Sequence, residues 1–160
     1  QDGRAERMMA SVSSEDIDIL AKARRALPAD YTPSDADEYM SDAQLNYFRV
    51  MLLEWKKSIL AASEGTLQSL QDGPIREPDL NDRASSETDW GIELRTRDRQ
   101  RKLIAKIDAA LRRIDKGEYG WCEVTGEPIG IHRLTARPIA TMTVEAQEAH
   151  ERREKISRDD

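Results

Sequence analysis

Cysteine is almost missing from this chain: Cys122 is the one thiol among 160 residues. A single thiol excludes an intrachain disulfide and is compatible with a reducing compartment. Histidine is nearly as scarce, with only His132 and His150, and one cysteine with two histidines does not make a four-donor metal cluster. Aromatic residues make up 5% of the chain and apolar residues 38%, against 35% charged. That is too little core for one globule burying most of its chain, and enough for a thin helical interface. No stretch reaches the roughly 18 apolar residues that cross a bilayer, and the first residues lack the apolar core of a signal peptide. The expected location is the cytoplasm. A nucleophile beside a base and a Gly-rich phosphate loop are missing too, so a self-contained enzyme is not expected.

What the chain does have is charge, unevenly placed. Residues 93–116 hold nine Lys/Arg against four Asp/Glu, although the whole protein carries −6. A phosphate-neutralising domain is usually basic throughout, so direct sequence-specific DNA binding is not expected. One basic face on an acidic protein suits docking to an anionic partner or ligand.

Periodicity divides the chain. Residues 1–40 carry one short apolar pattern, Ile17, Ile19, Leu20 and Ala23, followed by Pro28 and Pro33, which reads as a short helix and a linker. From there Leu45, Phe48, Leu52, Trp55, Ile59, Ala62 and Thr66 follow a heptad seam. Ser41 or Asp42 caps that helix, and Gly73, Pro74 and Pro78 end it; from about 42 to 70 it is roughly 40 Å long. A second helix is predicted from Asp79 or Asn81 to Lys116, with Gly117 as the residue just past its end and a seam of Trp90, Leu94, Ile104, Ile107, Leu111 and Ile114. The stretch 95–102 is too polar for an ordinary seam. Two such helices joined by a short Pro/Gly turn must pack antiparallel to hide their stripes. Residues 118–134 then read as a knuckle with two very short strands, and a highly charged helix from Val144 to Ile156 must lean on the rest by a narrow face. The expected fold is mainly α: a coiled-coil hairpin over 41–117 with its tip at about 73–84, a small globular part over 118–160, and an N-terminal segment over 1–40 packed on it.

Five blocks in order carry a resemblance. They are Tyr-Met-Ser-Asp-Ala-Gln-Leu at 39–45, Asp-Leu-Asn-Asp-Arg-Ala at 79–84, Glu-Leu-Arg-Thr-Arg-Asp-Arg-Gln-Arg-Lys-Leu-Ile at 93–104, Tyr-Gly-Trp-Cys-Glu at 119–123 and Gly-Ile-His-Arg-Leu-Thr-Ala-Arg-Pro at 130–138. Through them the chain resembles the DksA/TraR family from about Tyr39 to Lys155. The resemblance implies a monomeric transcription regulator whose hairpin enters the secondary channel of RNA polymerase, acts near the active centre through its tip, and is assisted by the alarmone ppGpp.

On that resemblance Asp79, Asp82 and Ala84 match the functional tip motif. Carboxylates at the far end of a hairpin can approach a polymerase's hydrated magnesium or basic loops. Acids in a first helical turn just after Pro78 are also ordinary capping and dipole compensation, and one carboxylate can cap while the other projects. The resemblance likewise assigns Arg99, Leu103 and Lys106, with Arg133 and Arg137, to the face that contacts ppGpp and polymerase. Arg forks and a Lys point charge suit pyrophosphate, although basic residues on an exposed helix commonly pair with acids four positions away. Gln147 stands where the family has a Lys.

The family's zinc knuckle departs furthest. Its four cysteine places hold Cys122, Thr125, Thr143 and Ala146, and the two histidines match none of them. Neither Thr nor Ala replaces a thiolate, so no zinc is expected and the knuckle must rest on apolar contacts, for which Trp121, Val124, Ile129, Ile131, Leu134, Met142 and Val144 are the candidates. Cys122, without a resolving partner, reads as a small buried apolar residue rather than a redox sensor. Two rival functions share much of this logic. A Gre-like factor would use the tip acids to hold a second catalytic magnesium for transcript cleavage, and a plain coiled-coil adaptor would need neither acids nor cations.

Overall fold

In the computed structural model the backbone is described over residues 12–72 and 80–159, and side chains over 12–64 and 88–158. Five helices lie in the described residues: α1 (Ser14–Ala26), α2 (Asp42–Asp72), α3 (Leu80–Lys116), α4 (Ile131–Ala136) and α5 (Val144–Asp159). The fold is mainly α, and its long elements are the two helices that periodicity predicted.

Local chemistry sets the helix ends. Ser13 Oγ accepts the Asp16 N–H at 3.1 Å, capping α1, with Glu15 and Asp16 in its first turn and Arg24 and Arg25 in its last; those charges complement the helix dipole. The linker after α1 is a series of turns tied to the start of α2. Ser41 Oγ accepts the Gln44 N–H at 3.3 Å, Gln44 Oε1 accepts the Met40 N–H at 2.7 Å, and Gln44 Nε2 donates to the Ser34 carbonyl at 3.0 Å. This is a capping box widened by one residue. It explains why Gln44 is fully buried. At the end of α3, Gly117 adopts φ +74, the Glu118 N–H bonds the Arg113 carbonyl at 2.9 Å and the Gly117 N–H bonds the Ile114 carbonyl at 3.2 Å. The pair forms a Schellman motif, which needs the left-handed conformation that glycine adopts without strain.

The chain divides into two units, one of residues 1–20 with 53–107 and the other of residues 21–52 with 108–160. In the first, Leu53, Ile59, Leu60 and Ser63 of α2 are buried, as are Arg97, Ile104 and Ile107 of α3 and Leu20 of α1. Ser63 Oγ donates to Gln100 Oε1 at 3.0 Å across the two long helices, and Lys56 meets Asp16 of α1 at 2.8 Å. In the second unit Arg49 pairs with Asp115 at 2.8 Å. Numbers rise along α2 as they fall along α3, so the two run antiparallel.

The predicted seam needs correction in its outer half. Ala62 is exposed and Ser63 is buried in its place. An α-helix repeats every 3.6 residues, so the step from Leu45 to Ser63 is about five full turns and puts the two in line, whereas Ala62 lies about 100° off that line. Thr66 lies outside the described side chains. On α3, Leu94 is 46% exposed while Arg97, within the stretch judged too polar, is buried. Arg97 stands seven residues before Ile104, on the same stripe, where its aliphatic stem can be covered. On α1, Ile17 of the expected apolar pattern is exposed, and Leu20 and Ala23 supply the buried face.

The second unit holds the small globular part. Tyr119, Cys122, Ile129, Ile131, Leu134, Thr143 and Ala146 are buried with Phe48 and Leu52 of α2 and Ala110 and Ile114 of α3. Two short strands were expected here. Among the described residues there is instead one isolated antiparallel bridge, Trp121 to Pro128, flanked by Cys122 N–H to Glu127 carbonyl and Ile129 N–H to Gly120 carbonyl, both at 2.8 Å. Pro128 has no N–H to extend the ladder, and the chain turns into the unexpected helix α4. Helix α5 leans on the core through its first turns, where Ala146 is buried; residues 150–158 are exposed. Its outer part is supported by pairs at four-residue spacing, Gln147 with Glu151 at 3.0 Å and His150 with Glu154 at 3.1 Å.

Candidate functional site

Of the three expected tip residues, Asp79 lies outside the described residues. Asp82 and Ala84 belong to the first turns of α3, with side chains outside the described set.

The cationic residues on α3 are described in full. Arg99 and Lys106 are exposed and Leu103 between them is half-buried; steps of four and three put the three on one helical face. A groove of about 300 Å³ lies along the same helix, lined by Leu94, Arg95, Asp98, Arg99 and Lys102. Lys102 is partly neutralised by Asp98 at 3.2 Å, whereas Arg99 lines the groove with no ion pair among the described residues. In the second unit, Arg133 and Arg137 lie one turn apart on α4 and at its end. They are not equivalent. Arg133 Nε donates to the Met142 carbonyl at 2.8 Å, so this guanidinium is half-committed to holding the chain before α5. Arg137 is exposed.

The knuckle is clamped by two tyrosines that the sequence reading assigned no role. Tyr39 Oη donates to the Gly120 carbonyl at 2.6 Å and accepts the Gly130 N–H at 2.9 Å, bridging both sides of the Trp121–Pro128 turn. Its ring meets Trp121 edge-on, centroids 5.2 Å apart. Burial raises its pKa, partly offset by the backbone N–H groups of Gly130 and Ile129. Tyr119, 2% exposed, donates to the Pro138 carbonyl at 2.7 Å and packs on Phe48; burial and the nearby Tyr39 raise its pKa well above 10, against the lowering effect of Arg113. Arg113 itself donates to the carbonyls of Glu118 and Trp121 at 3.2 and 2.8 Å. The available signal was the Tyr-Met-Ser-Asp-Ala-Gln block, but a tyrosine bond to backbone 81 residues away leaves no spacing pattern to read.

The four cysteine places of the expected knuckle come together in part. Cys122 is buried, 3% exposed. Burial raises its thiol pKa, but the nearby Thr125 hydroxyl and the backbone N–H groups of Thr125, Thr143 and Val124 lower it more, from 9.0 to about 6. Thr143 caps α5, accepting the Ala146 N–H at 3.2 Å, and both Thr143 and Ala146 are buried.

Two family descriptions match this architecture: "DnaK suppressor protein DksA, N-terminal domain" over residues 44–114 and "Prokaryotic dksA/traR C4-type zinc finger" over residues 117–152. The chain belongs to the DksA family. The RNA polymerase-binding transcription factor DksA of Caulobacter vibrioides is 61% identical over 132 residues, covering 82% of this chain and 93% of that protein. The protein of the same name from Escherichia coli K12 is 40% identical over 125 residues, 78% of this chain and 83% of that one. Among solved structures, the transcription factor DksA2 from Pseudomonas aeruginosa superposes with a TM-score of 0.68 at 41% identity, covering 89% of this chain and 99% of that chain.

A C4-type finger is the family's description, and this DksA-family chain does not fit the metal. Its four places offer one thiol, two hydroxyls and a methyl group, whereas tetrahedral zinc takes thiolate, imidazole or carboxylate donors. Among the described residues no three His, Cys, Asp or Glu side chains come together to replace them. His132 is fully in solvent near Asp35, and His150 is on α5 beside Glu154. Of the apolar contacts expected to compensate, Ile129, Ile131 and Leu134 are buried and Met142 is half-buried, but Trp121 is 37% exposed and Val124 and Val144 more so. Hydrogen bonds from tyrosine, arginine and threonine supply much of the remaining cohesion, which an apolar count could not register.

Proposed function

We propose that this chain binds RNA polymerase through its secondary channel and regulates transcription initiation, with ppGpp as effector and the acids at the α2–α3 turn acting near the polymerase active centre. The observation that carries the proposal is 61% identity over most of the chain to a protein named as an RNA polymerase-binding transcription factor. The architecture supports it physically. Two long helices of 31 and 37 residues flank the segment that holds Asp79, and Asp82 lies in the first turn of the second. No helix of the described residues is long and apolar enough to cross a membrane.

The residues assigned to the effector divide into two kinds. The Arg99, Lys106 and Arg137 cations are exposed, with Leu103 half-buried, whereas Arg133 also holds backbone. Arg137→Ala therefore separates ppGpp response from folding, and Arg133→Ala does not. Gln147, bonded to Glu151, lacks the positive charge of the family's Lys. Gln147→Lys is expected to strengthen the response to ppGpp by up to the roughly 1.5–3 kcal/mol of one charged hydrogen bond.

The decisive experiment is polymerase pull-down combined with initiation and backtracked-transcript cleavage assays. Asp82→Asn is expected to keep binding and lose regulation, with no RNA shortening from either protein. Full regulation by Asp82→Asn removes the tip mechanism, stimulated cleavage by the unaltered chain selects the Gre-like reading, and failure to bind polymerase selects the adaptor.

A further inference from the structure

Helix α4 carries Arg133 and Arg137 and is too short to hold itself. It is six residues long, and its N-cap is Gly130, which has no side chain to bond the first turn; a helix of this length forms in water only when tertiary contacts support it. Burial of Ile131 and Leu134 sets its roll, so that Arg133 and Arg137, four residues apart, lie together on the opposite face. Burial alone does not fix how far the helix slides or tilts, because apolar contact has no direction. Direction comes from two phenols, one at each end. Tyr39 Oη accepts the Gly130 N–H at 2.9 Å at the start, and Tyr119 Oη donates at 2.7 Å to the carbonyl of Pro138, the residue after Arg137.

Each phenol is itself fixed by the end of a long helix. Tyr39 lies three residues before α2, where the Met40 N–H bonds Gln44 Oε1 at 2.7 Å and the Tyr39 hydroxyl donates to the Gly120 carbonyl at 2.6 Å. Tyr119 lies three residues after α3, with its N–H on the Arg113 carbonyl at 3.1 Å and its buried ring against Phe48, centroids 5.6 Å apart. We infer, on the reading of Arg133 and Arg137 as effector contacts, that Tyr39 and Tyr119 are positioning residues for ppGpp: they pin the two ends of α4 to the ends of α2 and α3 and so fix where the two guanidinium groups stand. Both hydroxyls are committed to backbone, so they act through α4 and not on the ligand. An Arg fork binds phosphate by direction as well as by charge, so a displaced α4 weakens the contact with the number of cations unchanged. Arg133 has a further tether in its Nε bond to the Met142 carbonyl at 2.8 Å. Arg137 depends on its backbone, held by its N–H on the Arg133 carbonyl at 2.7 Å and by Tyr119 one residue on. Tyr119→Phe is therefore the more sensitive substitution.

The test titrates ppGpp into initiation assays with purified polymerase and the full chain, with each variant's polymerase binding in the absence of ppGpp measured alongside. Tyr119→Phe is expected to keep ppGpp-free binding and to need about tenfold more ppGpp for half-maximal regulation, the effect of one misdirected charged hydrogen bond. Tyr39→Phe is expected to shift the requirement in the same direction by less. Leu20→Ala, which empties a buried position on α1 outside α4 and its ties, is expected to lower the melting temperature and leave the ppGpp requirement unchanged. An unchanged requirement in a folded Tyr119→Phe protein, while Arg137→Ala loses the response, overturns the positioning role alone. An unchanged requirement in Arg137→Ala overturns the effector reading and the positioning role with it. Equal shifts in Leu20→Ala and Tyr119→Phe, or equal losses of ppGpp-free binding and ppGpp response in Tyr119→Phe, also overturn the positioning role, because general instability then accounts for the effect. Should Tyr119→Phe not fold, Tyr39→Phe decides by the same outcomes.

Discussion

Replacing Tyr39 by Phe removes one oxygen and nothing else, and the structure says what that oxygen does. It donates to the Gly120 carbonyl at 2.6 Å and accepts the Gly130 N–H at 2.9 Å. Phenylalanine keeps the edge-on contact with Trp121, so the loss is confined to hydrogen bonding. A net intramolecular hydrogen bond contributes about 0.5–1.5 kcal/mol, and a buried group left without a partner costs about 1–3 kcal/mol. Tyr39 is half-buried, so water can reach part of the gap, and the two bonds together come to about 2 kcal/mol. In a chain of this size 1 kcal/mol shifts Tm by about 2–4 °C, giving an expected drop of about 4–8 °C for Tyr39→Phe. Circular dichroism measures the drop, and amide exchange locates it: the Gly130 N–H is expected to lose protection while the Ile114 and Ala110 amides of α3 keep theirs. A Tyr39→Phe protein melting within 1 °C of the unaltered chain, with Gly130 still protected, would refute the clamp.

Gly120→Ala addresses the same clamp from the other side. Gly120 has φ +90, and an added Cβ would lie 2.6 Å from Met40 Sδ and 3.2 Å from Tyr39 Oη; left-handed strain alone costs about 1–2 kcal/mol, so this variant is expected to melt below Tyr39→Phe, as read by the same circular dichroism. Cys122 predicts a pH dependence whose sign follows from its lowered pKa. A group at about 6 when folded against 9.0 ordinarily contributes stability that is complete above pH 9 and is lost as pH falls through 6. The Tm difference between the unaltered chain and Cys122→Ala is therefore expected to grow from pH 6 to pH 9, and a constant difference contradicts the thiolate assignment. Asp82→Asn and Gln147→Lys carry the functional expectations: loss of regulation with binding retained in the first, and a stronger ppGpp response in the second, both measured in initiation assays with purified polymerase.

The sequence alone determined the elements that repeat. Heptad spacing located α2 and α3, and Gly117 located the end of α3 to the residue, because amphipathic period and left-handed turns are written locally in residue type. The five blocks also placed the chain in the DksA family, and the donor count at 122, 125, 143 and 146 disagreed with zinc. The tertiary structure decided what depends on groups distant in sequence. That Ser63 rather than Ala62 is buried follows from the 3.6-residue repeat, which sets Ser63 about five full turns from Leu45 on the same line; that Arg97 occupies a buried position follows from the stripe it shares with Ile104. That Arg133 is half-committed to Met142 while Arg137 is exposed, and that Tyr39 reaches the backbone at Gly120 and Gly130, depend on how the chain returns upon itself. Hydrophobic patterning registers which residues leave water, but not which polar atom meets which, and in a knuckle built largely from hydrogen bonds the second question carries most of the structure.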